Sequence, residues 1–145
     1  MSAELLIANL LRVAKEDLEG ARLLSSTANR NAVYLCEQSV EKIIRAVLTS
    51  EGKHAGIKHH LKEMVDLVPD ENPLKPYLRA IEHLGAFATS YRYPTASGRI
   101  PSPPQPADFN EIVRKVEEAL TAALGRFRVD PSKPNMPAGN PGPIR

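Results

Sequence analysis

Residues 32–47 read Ala32-Val-Tyr-Leu-Cys36-Glu-Gln-Ser-Val40-Glu-Lys-Ile-Ile44-Arg-Ala-Val47. Val33, Cys36, Val40, Ile43, Ile44 and Val47 recur at intervals of three and four. On a helix such positions fall within roughly 100° of one another and make one continuous apolar stripe, whereas a strand would need strict alternation. The spacing therefore predicts a long amphipathic helix. Asn29 or Asn31 can cap its start, and Gly52, after Thr49-Ser50-Glu51, supplies its stop.

The prolines organise the rest. Of thirteen, none lies before Pro69, so helices can run uninterrupted through the first half of the chain. A first helix is predicted from about Ser2 to about Leu24 or Ser26, with Leu10, Ala14, Leu18 and Ala21 at helical intervals and Gly20 as a local weakness. A short third helix covers His59 to Val68 and buries Leu61, Met64, Val65 and Val68. Pro73 or Pro76 opens a fourth, whose apolar face is Leu74, Tyr77, Leu78, Ile81, Leu84, Ala88 and Tyr91, and which should end near Tyr93 because Pro94 biases its predecessor out of helix. Asp108 and Glu111 have capping-box spacing and open a fifth, fraying near Arg128, with Phe109, Ile112, Val116, Ala119, Leu120, Ala123 and Phe127 inside. The expected fold class is all-α, a five-helix up-and-down bundle resembling a four-helix bundle with one short extra helix. One domain spans residues 1–129. Residues 130–145, with five prolines, are expected to be a disordered tail.

At 145 residues the chain is long enough for one core. Its net charge of +2 does not indicate bulk electrostatic capture of nucleic acid. The single cysteine, Cys36, cannot form an intramolecular disulfide, Glu4 stands where a secretory signal would need basic residues, and the apolar run Leu5 to Leu11 is too short to span a bilayer. A cytoplasmic protein with no membrane association is expected.

Three polar groupings bear on function. Gln38, Glu41, Lys42 and Arg45 form a row on the second helix opposite its apolar stripe; it is either a solvated face with Glu41–Arg45 pairing or a row facing a groove or a second copy. Around Arg92, three of the seven aromatics of the chain gather: Phe87, Tyr91 and Tyr93. A guanidinium beside aromatic rings suits phosphate and base recognition, although Phe87 and Tyr91 can equally be core, with Arg92 exposed at a helix C-terminus. The window Lys53 to Lys62 holds three lysines and His54, His59 and His60 with no acid, which suits a phosphate, an acidic partner or plain solvation. As a metal site it is weak, because adjacent His59 and His60 diverge by roughly 100° on a helix. No metal or cofactor is expected. Cys36 lies on the apolar stripe and reads as core, and there is no phosphate-binding glycine loop, GxSxG or HExxH.

Taken in order, Ala14-Lys-Glu-Asp-Leu18-Glu-Gly-Ala21-Arg-Leu-Leu24, Ala32-Val-Tyr-Leu-Cys-Glu-Gln38-Ser-Val-Glu41-Lys42-Ile-Ile-Arg45-Ala46, His60-Leu61 and Tyr91-Arg92-Tyr93-Pro94 resemble the HEPN domain (higher eukaryotes and prokaryotes nucleotide-binding), over roughly residues 4–125. The resemblance implies a helical bundle, commonly a homodimer, and small members often accompany a minimal nucleotidyltransferase in toxin–antitoxin pairs. Many toxin members are metal-independent ribonucleases with an arginine, four to six residues, then a histidine. That pattern is absent: none of His54, His59, His60 and His83 has an arginine five to seven positions before it, and Arg79–His83 is one residue short.

The expected function is therefore a dimeric HEPN module, leaning non-enzymatic, that binds nucleotide or RNA, or a minimal nucleotidyltransferase partner. The residues expected to carry binding are Arg92, Tyr91, Tyr93, Gln38, Glu41, Lys42, Arg45 and His60. The alternatives are a ribonuclease whose site is assembled by folding, such as His60 with Arg92, and a purely structural interaction module.

Overall fold

The computed structural model describes residues 2–56 and 60–141. It is all-helical, with α1 (Ala3–Ser25), α2 (Asn31–Ser50), α3 (Leu61–Asp66), α4 (Lys75–Arg79), α5 (Leu84–Thr89) and α6 (Pro106–Arg126), and no strand among the described residues. The predicted bundle is present. The expected start of the third helix at His59 lies outside the described residues.

α2 is the axis of the bundle: it packs against α1, α3, α5 and α6. Its predicted stripe of Val33, Cys36, Val40, Ile43, Ile44 and Val47 is fully buried, as are Leu61, Met64, Val65 and Val68 from the α3 region. At the α2 start the cap position is Arg30, which makes no side-chain cap bond, and not Asn29 or Asn31; Asn29, one residue earlier, accepts the Asn31 N–H through Oδ1 at 2.9 Å in an Asx-type turn. At the other end Gly52 takes φ +69°, a left-handed geometry that glycine adopts without steric cost, and the Lys53 N–H returns to the Leu48 carbonyl at 2.8 Å.

Several boundaries differ from expectation: α3 ends at Asp66 rather than Val68, and α5 ends at Thr89 rather than near Tyr93. The fourth helix is divided into α4 and α5, because the backbone tightens between them: Ala80 and His83 have ψ of -19° and -16°, and the N–H groups of Ile81 and Leu84 bond three residues back to Leu78 and Ile81. This is 3₁₀-type winding, in which residues three apart eclipse, and it carries buried Leu78, Ile81 and Leu84 down one line. Tyr77, expected on the apolar face, is largely exposed. The last helix begins at Pro106, not Asp108, with Gln105 in the cap position and no side-chain cap bond. Proline at the first helical position is already set for the turn, so Asp108 sits inside it, and Glu111 binds Arg114. Val113 is buried while Ile112 is half-buried.

After Arg126 no helix or strand follows among the described residues, as the Pro/Gly-rich composition predicts. Residues 130–141 nonetheless follow a defined course across α1. Arg12, only 7% exposed, donates through Nε and Nη2 to the Asp130 carbonyl (3.2 and 3.1 Å) and through Nη1 to the Met136 carbonyl (2.9 Å) and to Asn9 Oδ1 (2.9 Å). The Ala138 N–H reaches the Glu4 carbonyl and the Gly139 N–H the Phe127 carbonyl, while Ser50 Oγ donates to Asn140 Oδ1. The arginine thus replaces regular structure as the organiser of this segment. Arg12→Ala should lower the unfolding free energy by about 2 kcal/mol, since it removes several charge-assisted hydrogen bonds made by a buried guanidinium. Urea denaturation reads this, and an unchanged midpoint would contradict the role given to Arg12.

Candidate functional site

Three segments meet over one face of α2 and leave a groove of about 930 Å³. Tyr34, Glu37, Gln38 and Glu41 of α2 form its floor, at the three- and four-residue spacing that places them on one helical face. His60, Leu61 and Lys62 from the start of α3 form one wall; Glu82, His83 and α5 form the other, with Arg92 just past the helix end. Gly85 of α5 lets that wall close: a Cβ there would stand 3.2 Å from Leu61 Cγ, so the absent side chain permits α5 to lie directly against Leu61.

Four of the eight residues singled out from sequence line this groove: Gln38, Glu41, His60 and Arg92. The other four lie elsewhere. Lys42 is turned toward α1, where its Nζ binds Asp17 Oδ2 at 2.5 Å. Arg45 binds Glu41 Oε1 at 3.3 Å, the pairing anticipated for a solvated face, but Glu41 itself is buried. Tyr91 is half-buried in an edge contact with Phe87, with ring centroids 5.0 Å apart, and lines a separate, shallower recess of about 390 Å³ beside Pro103, Pro104 and Gln105. Tyr93 is 65% exposed, its ring centroid 5.8 Å from the Arg92 guanidinium carbon. The row on α2 is therefore split: Gln38 and Glu41 face the groove, Lys42 faces α1, and Arg45 pairs with Glu41 but does not line the groove.

Tyr34, Glu37, Lys62 and His83 were not singled out. Tyr34 lies one turn before Gln38, so extending the polar row by four residues toward the N-terminus finds it. It matters because the Arg92 guanidinium carbon stands 4.9 Å from its ring centroid, a cation–π distance. Arg92 makes no ion pair among the described residues, leaving its donor fork uncommitted. Glu37 is buried, and that desolvation holds its carboxyl above the usual range; the Gln38 amide hydrogen bond at 3.0 Å and the nearby Arg92 charge oppose the shift, while Glu41 adds to it.

The arginine nearest in spacing to the ribonuclease pattern is otherwise occupied. Arg79 binds Asp66 and Glu82, each at 2.7 Å, which ties down the guanidinium four residues before His83. His60 and Arg92, distant in sequence, do share the groove. Among the described residues no three His, Cys, Asp or Glu side chains gather as metal ligands, and His59 lies outside them. No helix among them is long and apolar enough to cross a membrane.

The family model for the HEPN domain matches residues 7–126, from the second turn of α1 to the last residue of α6. The chain belongs to the HEPN domain family. This is a family of helical modules that bind nucleotides and RNA, and the match embraces every groove-lining residue of this HEPN domain. No curated protein and no solved structure gives a significant match.

Cys36 stands outside this chemistry. It is completely buried on the apolar face of α2, and burial pushes its thiol up to about 12. At pH 8 the folded protein should be inert to a disulfide-exchange thiol reagent and react fully once unfolded in urea. Prompt reaction of the native protein would contradict the burial described.

Proposed function

We propose that this HEPN domain binds nucleotide units, free or within single-stranded RNA, in the groove between α2, α3 and α5. The observation that carries the reading is Arg92: an uncommitted guanidinium positioned over Tyr34 at the mouth of a groove whose floor is hydrogen-bonding side chains. A guanidinium fork matches phosphate oxygens, and an aromatic–arginine pair offers a plane on which an unstacked base can lie. Lys62 and His60 add donors on the opposite wall. The modest net charge fits a small site that engages few phosphates better than a surface that coats a long polyanion. A homodimer is the second part of the proposal; Leu6 and Val13, seven residues apart on α1 and therefore on one face, are 37% and 39% exposed. Partnership with a minimal nucleotidyltransferase, and a cytoplasmic setting, follow from the family resemblance and the sequence alone.

One observation favours a second reading, metal-independent RNA cleavage. His60 and Arg92 line the same groove, bringing a proton-transfer group and a phosphate-stabilising cation to one site although the local sequence pattern is absent.

A single experiment separates the two. Labelled single-stranded RNA is titrated with protein while its integrity is followed on a denaturing gel in the presence of chelator. The expected result is saturable binding to intact RNA, weakened about tenfold or more by Arg92→Ala, as loss of a charge-assisted hydrogen bond implies. Binding unaffected by Arg92→Ala would overturn the groove as the site. Cleavage abolished by both His60→Ala and Arg92→Ala would replace binding with catalysis.

A further inference from the structure

Glu37 is the unresolved charge of the groove. The other carboxylates of the lining have cations: Glu41 has Arg45 and Glu82 has Arg79. Glu37, 9% exposed, makes no ion pair among the described residues; Oε2 accepts one hydrogen bond from the Gln38 amide, and the residue lines the cavity. A buried carboxylate is costly without donors, and a groove-lining one can obtain them from a ligand.

The donors must suit its geometry. Glu37 lies three residues after Tyr34 on the same face of α2, one turn along the groove from the Arg92–Tyr34 pair. A base stacked on that pair therefore meets Glu37 and Gln38 with an edge. A carboxylate presents two adjacent acceptors. Guanine is the RNA base whose Watson–Crick edge presents two adjacent donors, N1–H and N2–H. Adenine and cytosine each set a ring-nitrogen lone pair beside their amino group, and uracil sets its N3–H between two carbonyls. The Gln38 amide, which spends one hydrogen on Glu37, has a second for the guanine O6. In order along the edge, donor, acceptor and acceptor on the protein meet acceptor, donor and donor on the base.

We propose that the groove selects guanine, with Glu37 as the specificity-determining acceptor, Gln38 as the O6 donor and the Arg92–Tyr34 pair as the stacking plane. This rests on the nucleotide-binding reading above and deepens it.

The test is a fluorescence-anisotropy competition on the full chain at pH 8, using the RNA pentamers UUGUU, UUAUU, UUCUU and UUUUU and the four nucleoside 5′-monophosphates. UUGUU should bind at least about fivefold more tightly than the other three, the discrimination expected of one bidentate base contact. E37Q, which keeps one acceptor and turns a donor toward N1–H, should abolish that preference, so that UUGUU and UUAUU bind the variant within about twofold of one another. Guanine preference among the monophosphates as well assigns the free nucleotide; preference in the pentamers alone assigns the RNA; both support the proposal. Four pentamers of equal affinity would overturn guanine selection and leave nucleotide binding standing. No binding by any probe would overturn both, and guanine preference surviving E37Q would remove Glu37 from the role. Circular dichroism establishes that E37Q folds, and the wild-type comparison decides guanine selection by itself if it does not.

Discussion

Ser39, buried where α2 meets α1, donates its hydroxyl to the Ala14 carbonyl at 2.8 Å, and Lys42 binds Asp17 across the same seam. These bonds join two helices whose facing surfaces include the small buried residues Ala14, Ala21 and Ala32, so packing and polar contacts together set the rotation of α2 about its axis. That rotation is the constraint on which the site depends. With Ser39 and Lys42 turned to α1, and Val33, Val40, Ile44 and Val47 in the core, residues 34, 37, 38 and 41 are turned toward α3 and α5. A rotation of α2 by one residue position, about 100°, would send Glu37 into the core or into solvent.

The buried carboxylates of the α2 region show how this constraint becomes a site. Glu51, just beyond the helix end, receives the Asn72 side-chain amide at 2.7 Å, and the same asparagine organises the turn into α4 by accepting from the Leu74 N–H. Glu41 is met by Arg45. Glu37 has only its neighbour Gln38 and the more distant influence of Arg92. Two of the three are satisfied within the fold, which makes them structural. The third lines a cavity that also presents an uncommitted guanidinium.

The fold was legible because its signal is periodic. Apolar spacing on α2 and α6 identified most core positions there, whereas on α1 it found Ala14, Leu18 and Ala21 but missed Ile7, Ala8 and Leu11 and counted Leu10, which is only half-buried; the prolines separated the later helices. The break between α4 and α5 was not legible, since Leu74, Leu78, Ile81, Leu84 and Ala88 fit a straight helix as well as one tightened in its middle, and ψ near -17° is chosen by packing against neighbours. The course of residues 130–141 escaped composition for a similar reason: one buried arginine 118 positions away from Asp130 supplies the donors that helix or sheet would provide. The site was half legible. Arg92 and the α2 row announced themselves by residue type, but Lys42 and Tyr91 were drawn off by Asp17 and Phe87, partners that only the tertiary arrangement brings near. Tyr34 and Glu37 hid because an isolated aromatic and an acid on a helix have no distinguishing local pattern.

The most direct test of the account is a residue-resolved NMR titration of the uniformly ¹⁵N-labelled protein with a short single-stranded RNA containing one guanine. The largest amide shift changes are expected on residues 34, 37, 38 and 41 of α2 and at Arg92, with the α1-facing positions Ser39 and Lys42 little affected. Shift changes concentrated instead around Phe87, Tyr91 and Pro104-Gln105, or along the exposed side of α1, would contradict this by placing the ligand away from the groove that the packing of α2 creates.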